Sequence, residues 1–72
     1  MPYAAIDDLP ESVRAHLPLH AQEIYLAAFN RAWTDYQDRG ERREEIAYRV
    51  SWAAVKHKYR KARDRWIPHQ PD

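Results

Sequence analysis

Four histidines are the side chains in this sequence that are best suited to metal binding or phosphoryl transfer. His16 and His20 have the spacing that puts two side chains on one helix face, but Pro18 lies between them and interrupts such a helix. His20 and Glu23 form only a pair, whereas a protein-bound transition metal normally needs at least three ligands. We therefore expect His20 to cap or pack at a helix start, and we predict no metal ion and no cofactor.

Catalysis by a nucleophile or by a phosphorylated histidine is also disfavoured by the residues present. His57 lies between Lys56 and Lys58, where positive charge can hold a phosphate, but nothing else in the sequence supports phosphotransfer. Ser12 and Ser51 have no histidine at a suitable spacing, and the single glycine excludes a glycine-rich phosphate loop. The sequence predicts a binding or regulatory protein, not an enzyme.

The strongest candidate for a binding surface is the basic run from Lys56 to Arg65, KHKYRKARDR, in which six bases accompany one acid. Such bases, interleaved with aromatic residues, can contact an acidic protein segment, nucleic acid or anionic lipid headgroups. The pI of 8.1 is below the range typical of nucleic-acid-binding domains. A protein partner is therefore favoured, and a nucleic-acid-binding module that uses the same bases remains the alternative. The predicted partner-binding residues are Arg49, Lys56, Arg60 and Arg63, and Lys58, Lys61 and Arg65 form a secondary basic patch.

The charge asymmetry also has an explanation that needs no partner. Glu41, Glu44 and Glu45 precede the third predicted helix or lie in its first turn, and the bases lie near its end. Acidic residues at the N-terminus and basic residues at the C-terminus of a helix both complement the helix dipole. A solvated basic surface thus stays open beside the binding hypotheses, as does self-association without an external ligand.

A chain of 72 residues forms one domain, and a domain this small needs dense packing or covalent cross-links. There is no cysteine, so neither disulfides nor zinc thiolates are available, and aromatic residues must supply the core. The N-terminus lacks a signal-peptide pattern, and no apolar run is long enough to span a membrane. We expect a cytoplasmic protein.

Proline and the spacing of apolar residues predict three helices. Pro10 starts a short first helix, and Pro18 ends it because the residue before a proline avoids helical dihedrals. Apolar residues at steps of three and four predict a second helix over 18–37, with Gly40 as its left-handed cap. A third helix is predicted from about 41 to about 62, with apolar residues on two faces.

The fold class predicted from these elements is mainly α: a single domain with one short helix, two long helices and a two-stranded terminal β-ribbon. The ribbon is predicted to pair Tyr3 with Arg65-Trp66-Ile67 over the third helix. The predicted structural core consists of Ile24, Tyr25, Phe29, Trp33, Val50, Trp52, Ala54 and Tyr59.

Six short blocks, MPY, DLPESV, LPLHAQEIY, AFNRAW, REE and VSWAAVKHKY, resemble the ChaB family of small bacterial proteins in order and spacing. The resemblance runs from Met1 to Trp66, so we assign residues 1–67 to one ChaB-like domain and residues 68–72 to a loose tail. It implies a helical fold with a small β element near the termini. It also implies a cation transport regulator, a cytoplasmic accessory that docks on a sodium or potassium/proton antiporter. One departure from the resemblance is the connection Asp38–Arg43, which is several residues shorter than in members such as the enterobacterial type.

Overall fold

The protein is mainly helical and ends in a two-stranded antiparallel sheet, so the predicted fold class is confirmed. The computed structural model describes residues 3–69. No helix within this range is both long and apolar enough to cross a lipid bilayer. The elements are a 3-10 helix Ile6–Asp8, α1 Glu11–His16, α2 Leu19–Asp35, a second 3-10 helix Gln37–Arg39, α3 Arg42–Lys58, β1 Tyr59–Ala62 and β2 Arg65–Pro68.

Two prolines set the starts of the first two helices, as the sequence predicted. Pro10 and Pro18 occupy the N-cap positions of α1 and α2 with extended backbone. The Pro10 carbonyl accepts from the N–H of Val13, and the Pro18 carbonyl begins the hydrogen bonding of α2. Leu17 is extended, as expected of a residue that precedes proline. The side-chain amide of Gln22 donates to the Leu17 carbonyl over 2.8 Å, which satisfies an acceptor left over by this break.

The prediction that Gly40 caps the second helix is wrong. α2 ends at Asp35, and its C-cap is Tyr36, whose backbone N–H donates to the Ala32 carbonyl over 2.9 Å. Gly40 follows the second 3-10 helix with φ 59° and ψ −124°, a conformation that favours glycine. It turns the chain into α3, and its carbonyl accepts from the N–H of Arg43 over 3.1 Å.

The core lies between α2 and α3, which run antiparallel. Trp33 near the end of α2 lies beside Arg43 at the start of α3, and Tyr25 contacts Trp52 further along both helices. Small residues are buried on both helices, Ala21 and Ala32 on α2 and Ala47 and Ser51 on α3, and the hydroxyl of Ser51 donates to a carbonyl of its own helix over 2.7 Å. The buried residues are Leu9, Val13, Leu17, Ala21, Tyr25, Phe29, Ala32, Ala47, Ser51, Val55 and Tyr59.

The third helix is shorter than predicted, because it ends at Lys58 and the next four residues form strand β1. β1 pairs with β2 as a hairpin in which Tyr59 faces Pro68 and Lys61 faces Trp66. Hairpin strands that follow each other directly close a short loop, which costs less chain entropy than pairing the two chain ends.

The prediction that Tyr3 forms the first strand of the ribbon is therefore wrong. The backbone N–H of Tyr3 donates to Oδ1 of Asn30 over 2.9 Å, and Nδ2 of Asn30 donates to the Tyr3 carbonyl over 2.8 Å. One side-chain amide on α2 thus satisfies both backbone groups that a neighbouring strand would otherwise pair.

The predicted loose tail begins too early, because Pro68 belongs to β2 and His69 joins the hairpin to the end of α3. The backbone N–H of His69 donates to the Lys58 carbonyl over 3.0 Å. Its Nε2 donates to the Lys56 carbonyl over 2.9 Å. These bonds satisfy acceptors that a helix C-terminus leaves free. The rest of the predicted tail, residues 70–72, lies outside the described residues.

Candidate functional site

Aromatic rings form a continuous row from the core to the surface of α3. Phe29 stacks on Tyr25 with centroids 6.2 Å apart, and Tyr25 meets the edge of Trp52 at 5.4 Å. Trp52 then contacts Trp66 at 5.7 Å and Tyr48 at 6.3 Å. Such contacts add about 0.5–1.5 kcal/mol per pair beyond area burial. The outer rings are therefore held in place by the core beneath them.

The outer end of this row forms the aromatic cleft, which we define by Tyr48, Trp52, Ala53 and Trp66 together with Arg49, Lys56 and Lys61. The cleft is open to solvent, with a volume of about 750 Å³. Residues four apart on α3 supply one wall, since they share a helix face. Lys61 and Trp66 face each other across the hairpin, so they project from the same side of the sheet.

The cations at the cleft differ in whether they are already paired. Nη2 of Arg49 lies 3.1 Å from Oε2 of Glu45, one turn earlier on α3. Lys56 and Lys61 make no ion pair with any residue in the range 3–69, and both are exposed. The cleft thus presents two unneutralised ammonium groups beside aromatic walls.

The structure separates the other basic residues that were predicted to bind a partner. Arg60 is on β1 next to Lys61, and neighbouring residues of a strand point to opposite faces. Arg63 lies in the hairpin turn with φ 60°. The four predicted partner-binding residues thus do not share one helix face, because α3 ends at Lys58, before Arg60 and Arg63. Arg49, Lys56 and Lys61 lie together at the aromatic cleft.

The two remaining residues of the secondary patch, Lys58 and Arg65, each line a different cleft. Lys58 lies with three histidines, and Arg65 lies beside Asp64 near the junction of α1 and α2. The junction cleft has a volume of about 300 Å³. The predicted secondary patch is thus divided among three surfaces.

The residues predicted for the core take up two layers. Tyr25, Phe29 and Tyr59 are buried, with exposed fractions of 1%, 2% and 7%. The other five are partly buried, and four of them pack against the buried cluster. The buried layer combines the rings of Tyr25 and Phe29 with alanine, serine and valine, and the indoles of Trp33 and Trp52 lie at its margin. The partly buried residues are Ile24, Trp33, Val50, Trp52 and Ala54.

Three histidines line a second cleft of about 480 Å³ near the end of α3. His20, His57 and His69 lie there with Tyr59 and Lys58. Nδ1 of His20 lies 3.3 Å from a carboxylate oxygen on the next turn of α2, and the side chain of His69 is engaged with α3. Within residues 3–69, no three histidine, aspartate or glutamate side chains are arranged to hold a metal ion.

The sequence reasoning missed a structural role for Arg43. Its guanidinium carbon lies 4.0 Å from the centroid of the Trp33 ring, and its Nε donates to the Trp33 carbonyl over 2.6 Å. This cation–π contact and hydrogen bond join the end of α2 to the start of α3. No local pattern signals it, because the two residues meet only after the chain turns at Gly40.

Acidic residues surround the opposite end of α3. A shallow cleft of about 380 Å³ is lined by aromatic rings and by Glu41, Glu44 and Glu45. Burial raises the pKa of Tyr3, with a further contribution from Glu44. Burial is also the main reason that the pKa of Tyr25 is raised well above its usual range. The start of α3 thus mixes carboxylates with Arg42 and Arg43, whereas its last turn carries Lys56 and Lys58 and no acidic residue.

Comparison with known proteins places these features in a family. The ChaB family profile matches residues 9–69, which is most of the sequence. The chain belongs to the ChaB family. This confirms the resemblance noted in the sequence.

Individual ChaB proteins align with most of this chain, both in sequence and in structure. It is 55% identical over 69 residues to the protein named "Putative cation transport regulator ChaB" of Escherichia coli K12, with 89% of this chain and 91% of that one aligned. The same values hold for the Shigella flexneri protein of that name. A ChaB protein whose solution structure was solved by NMR superimposes with a TM-score of 0.84 at 51% identity. This match covers 96% of the chain and all of the solved one.

Proposed function

We propose that this protein is a non-enzymatic regulator that binds a sodium or potassium/proton antiporter on its cytoplasmic side. The observation that carries the proposal is the aromatic cleft, in which two unpaired ammonium groups lie beside exposed rings. The name shared by the ChaB relatives refers to the regulation of cation transport, and the family resemblance implies an antiporter as the transporter concerned. Aromatic side chains are enriched at protein interfaces, and electrostatic complementarity selects the partner and speeds association.

A docking role agrees with the state of the groups that chemistry would need. The hydroxyl of Ser51 is buried and donates to a carbonyl, so it is not available as a nucleophile. Nδ1 of His16 donates to the Ser12 carbonyl over 2.7 Å. The clefts are open and shallow, whereas catalysis gains from closed sites that exclude water. Binding through the surface is thus the activity that the geometry supports.

The test is capture of the antiporter by the tagged protein from membranes solubilised from its own cells, with and without nuclease. The wild-type chain should recover the antiporter in both samples. Lys56→Glu with Lys61→Glu should abolish the recovery, because both charges at the cleft are reversed. Arg60→Glu with Arg63→Glu makes the same change in net charge outside the cleft and should retain it.

Two results would contradict the proposal. Equal loss with both double variants would show that only net charge matters, not the cleft. Recovery of nucleic-acid-bound proteins that disappear after nuclease treatment, with no antiporter, would favour the nucleic-acid alternative. In that case the affinity for an oligonucleotide should fall steeply with salt concentration.

A further inference from the structure

The aromatic cleft exposes apolar surface that folding would be expected to cover. Tyr48 is 52% exposed, and Leu19 on α2 is the other large apolar side chain in the described part of the chain that lies open to this degree. Leu19 lines none of the four clefts, whereas Tyr48 lines the aromatic cleft together with Trp52 and Trp66. An exposed apolar side chain on its own needs no explanation, but a cluster rimmed by charge is typical of a binding site.

The floor of the cleft is the ring of Trp52, which is already packed against other aromatic rings. Trp52 is in contact with rings of Tyr25, Trp66 and Tyr48, and these rings meet it at interplanar angles of 78°, 34° and 72°. An aliphatic or aromatic side chain can lie across the exposed part of this floor, in contact with ring edges. The volume is in the range of about 300–1,000 Å³ found for small ligand sites.

The cations of the aromatic cleft span only a short distance, and this limits the length of an anionic ligand that they can neutralise. Lys56 and Lys61 lie at one end of the cleft, and Arg49 at the other is paired with Glu45. Glu44 lies one residue before Glu45, and consecutive residues of a helix are separated by a rise of about 1.5 Å along its axis. Beyond Arg49, toward the start of α3, acidic residues are interspersed with arginines and Glu45 also pairs with Arg42, so the described residues of this surface offer no continuous row of free cations to a nucleic-acid backbone. A short segment with its carboxylates on one side of an apolar anchor needs only the two lysines.

We propose that the aromatic cleft binds a short acidic peptide segment, in which one large apolar side chain packs on Trp52 and neighbouring carboxylates pair with Lys56 and Lys61. This inference rests on the proposed function, because it names the kind of segment through which the antiporter would be held. Tyr48 and Trp66 enclose the anchor, and the two lysines set its direction along α3. The apolar contact supplies most of the affinity, since exposed ion pairs contribute little.

The test uses purified protein and fluorescein-labelled synthetic peptides, with binding measured by fluorescence anisotropy. One set carries a leucine, phenylalanine or tryptophan next to four glutamates. A second set replaces the anchor by alanine, and a third replaces the glutamates by glutamine. We expect the first set to bind at least about tenfold more tightly than either other set. An oligothymidylate of similar charge should bind more weakly than the first set.

Matched variants locate the binding. Tyr48→Ala should weaken binding by about tenfold, whereas Leu19→Ala, which removes an exposed large apolar side chain that does not line the aromatic cleft, should leave it unchanged. Lys56→Gln with Lys61→Gln should also weaken peptide binding. Lys58→Gln should not, because Lys58 lines the separate cleft formed by the three histidines. Circular dichroism of each variant confirms that the helices are intact. The inference is overturned if no anchored acidic peptide binds at about millimolar concentration, if Tyr48→Ala binds like wild type, or if the oligothymidylate binds more tightly.

The outcomes separate this inference from the proposed function. If Tyr48→Ala still captures the antiporter as well as the wild-type chain does, while Lys56→Glu with Lys61→Glu does not, the aromatic anchor is not the contact. The inference then fails, and the regulator proposal stands on the two lysines. If anchored acidic peptides bind in the cleft but no antiporter is captured, the inference stands and the partner must be another protein.

Discussion

Replacement of Trp52 by alanine should lower the free energy of unfolding by about 3 kcal/mol. Truncation of a fully buried large aromatic residue costs about 3–5 kcal/mol. Trp52 is partly exposed, which reduces the transfer term, but its ring contacts three others. We therefore expect a loss of stability near the lower end of the range of about 3–5 kcal/mol. A domain of this size has a total stability of about 5 kcal/mol, so the variant should remain mostly folded in water.

Replacement of Trp52 by phenylalanine separates ring packing from the indole N–H. Nε1 of Trp52 is buried and has no hydrogen-bond acceptor among residues 3–69. Burial of an unpaired donor costs about 1–3 kcal/mol, so its removal offsets the weaker packing of the smaller ring. We expect Trp52→Phe to lie within about 1 kcal/mol of the wild-type stability.

Urea denaturation followed by far-ultraviolet circular dichroism measures both variants without relying on tryptophan fluorescence. Tyr48→Ala is the control, because its ring is half-exposed at the end of the same row and its removal should cost much less. If Trp52→Phe is as unstable as Trp52→Ala, the N–H is satisfied and the argument from the unpaired donor is refuted. If neither variant is destabilised, the aromatic row does not hold the hairpin on α3.

Three further predictions concern the ends of the helices and the core. Ionisation of Tyr25 is unfavourable in the folded state, so its raised pKa stabilises the protein fully below about pH 10 and that contribution is lost as the pH rises further. Thermal unfolding at increasing pH should show a fall in Tm that Tyr25→Phe reduces, and equal falls would contradict this. Arg43→Ala should cost about 1–2 kcal/mol, because it removes both the cation–π interaction and the hydrogen bond with Trp33. Arg43→Lys should recover only part of that in urea denaturation, because it has no Nε donor. His69→Ala should cost about 1 kcal/mol, since the Lys56 carbonyl loses its donor. An unchanged urea midpoint would argue against this hydrogen bond.

The starts of α1 and α2 could be predicted because their cause is local. Pro10 and Pro18 restrict their own backbone and that of the preceding residue, whatever the chain does elsewhere. The apolar stripe of α2 likewise has one helical period, and residues 21, 25, 29 and 32 along it are buried.

The end of α3 could not be predicted in the same way. Tyr59–Ala62 contains no proline or glycine, and its residues fit either a helix or a strand. The strand forms because β2 pairs with it, Trp66 packs on Trp52 and His69 bonds to carbonyls of the helix end. All these interactions come from residues later in the chain. The same holds for Tyr3, whose partner Asn30 lies on another element.

The candidate site shows the same division. From the sequence alone came the mainly helical class, the family and the basic character of the C-terminal region, since these depend on composition, local periods and short motifs. The tertiary structure decided which bases act together. Lys56 and Lys61 would lie about 140° apart on one continuous helix, at about 100° per residue, but the hairpin folds Lys61 back beside Trp66. A binding surface depends on such distant contacts, and the local sequence does not encode them.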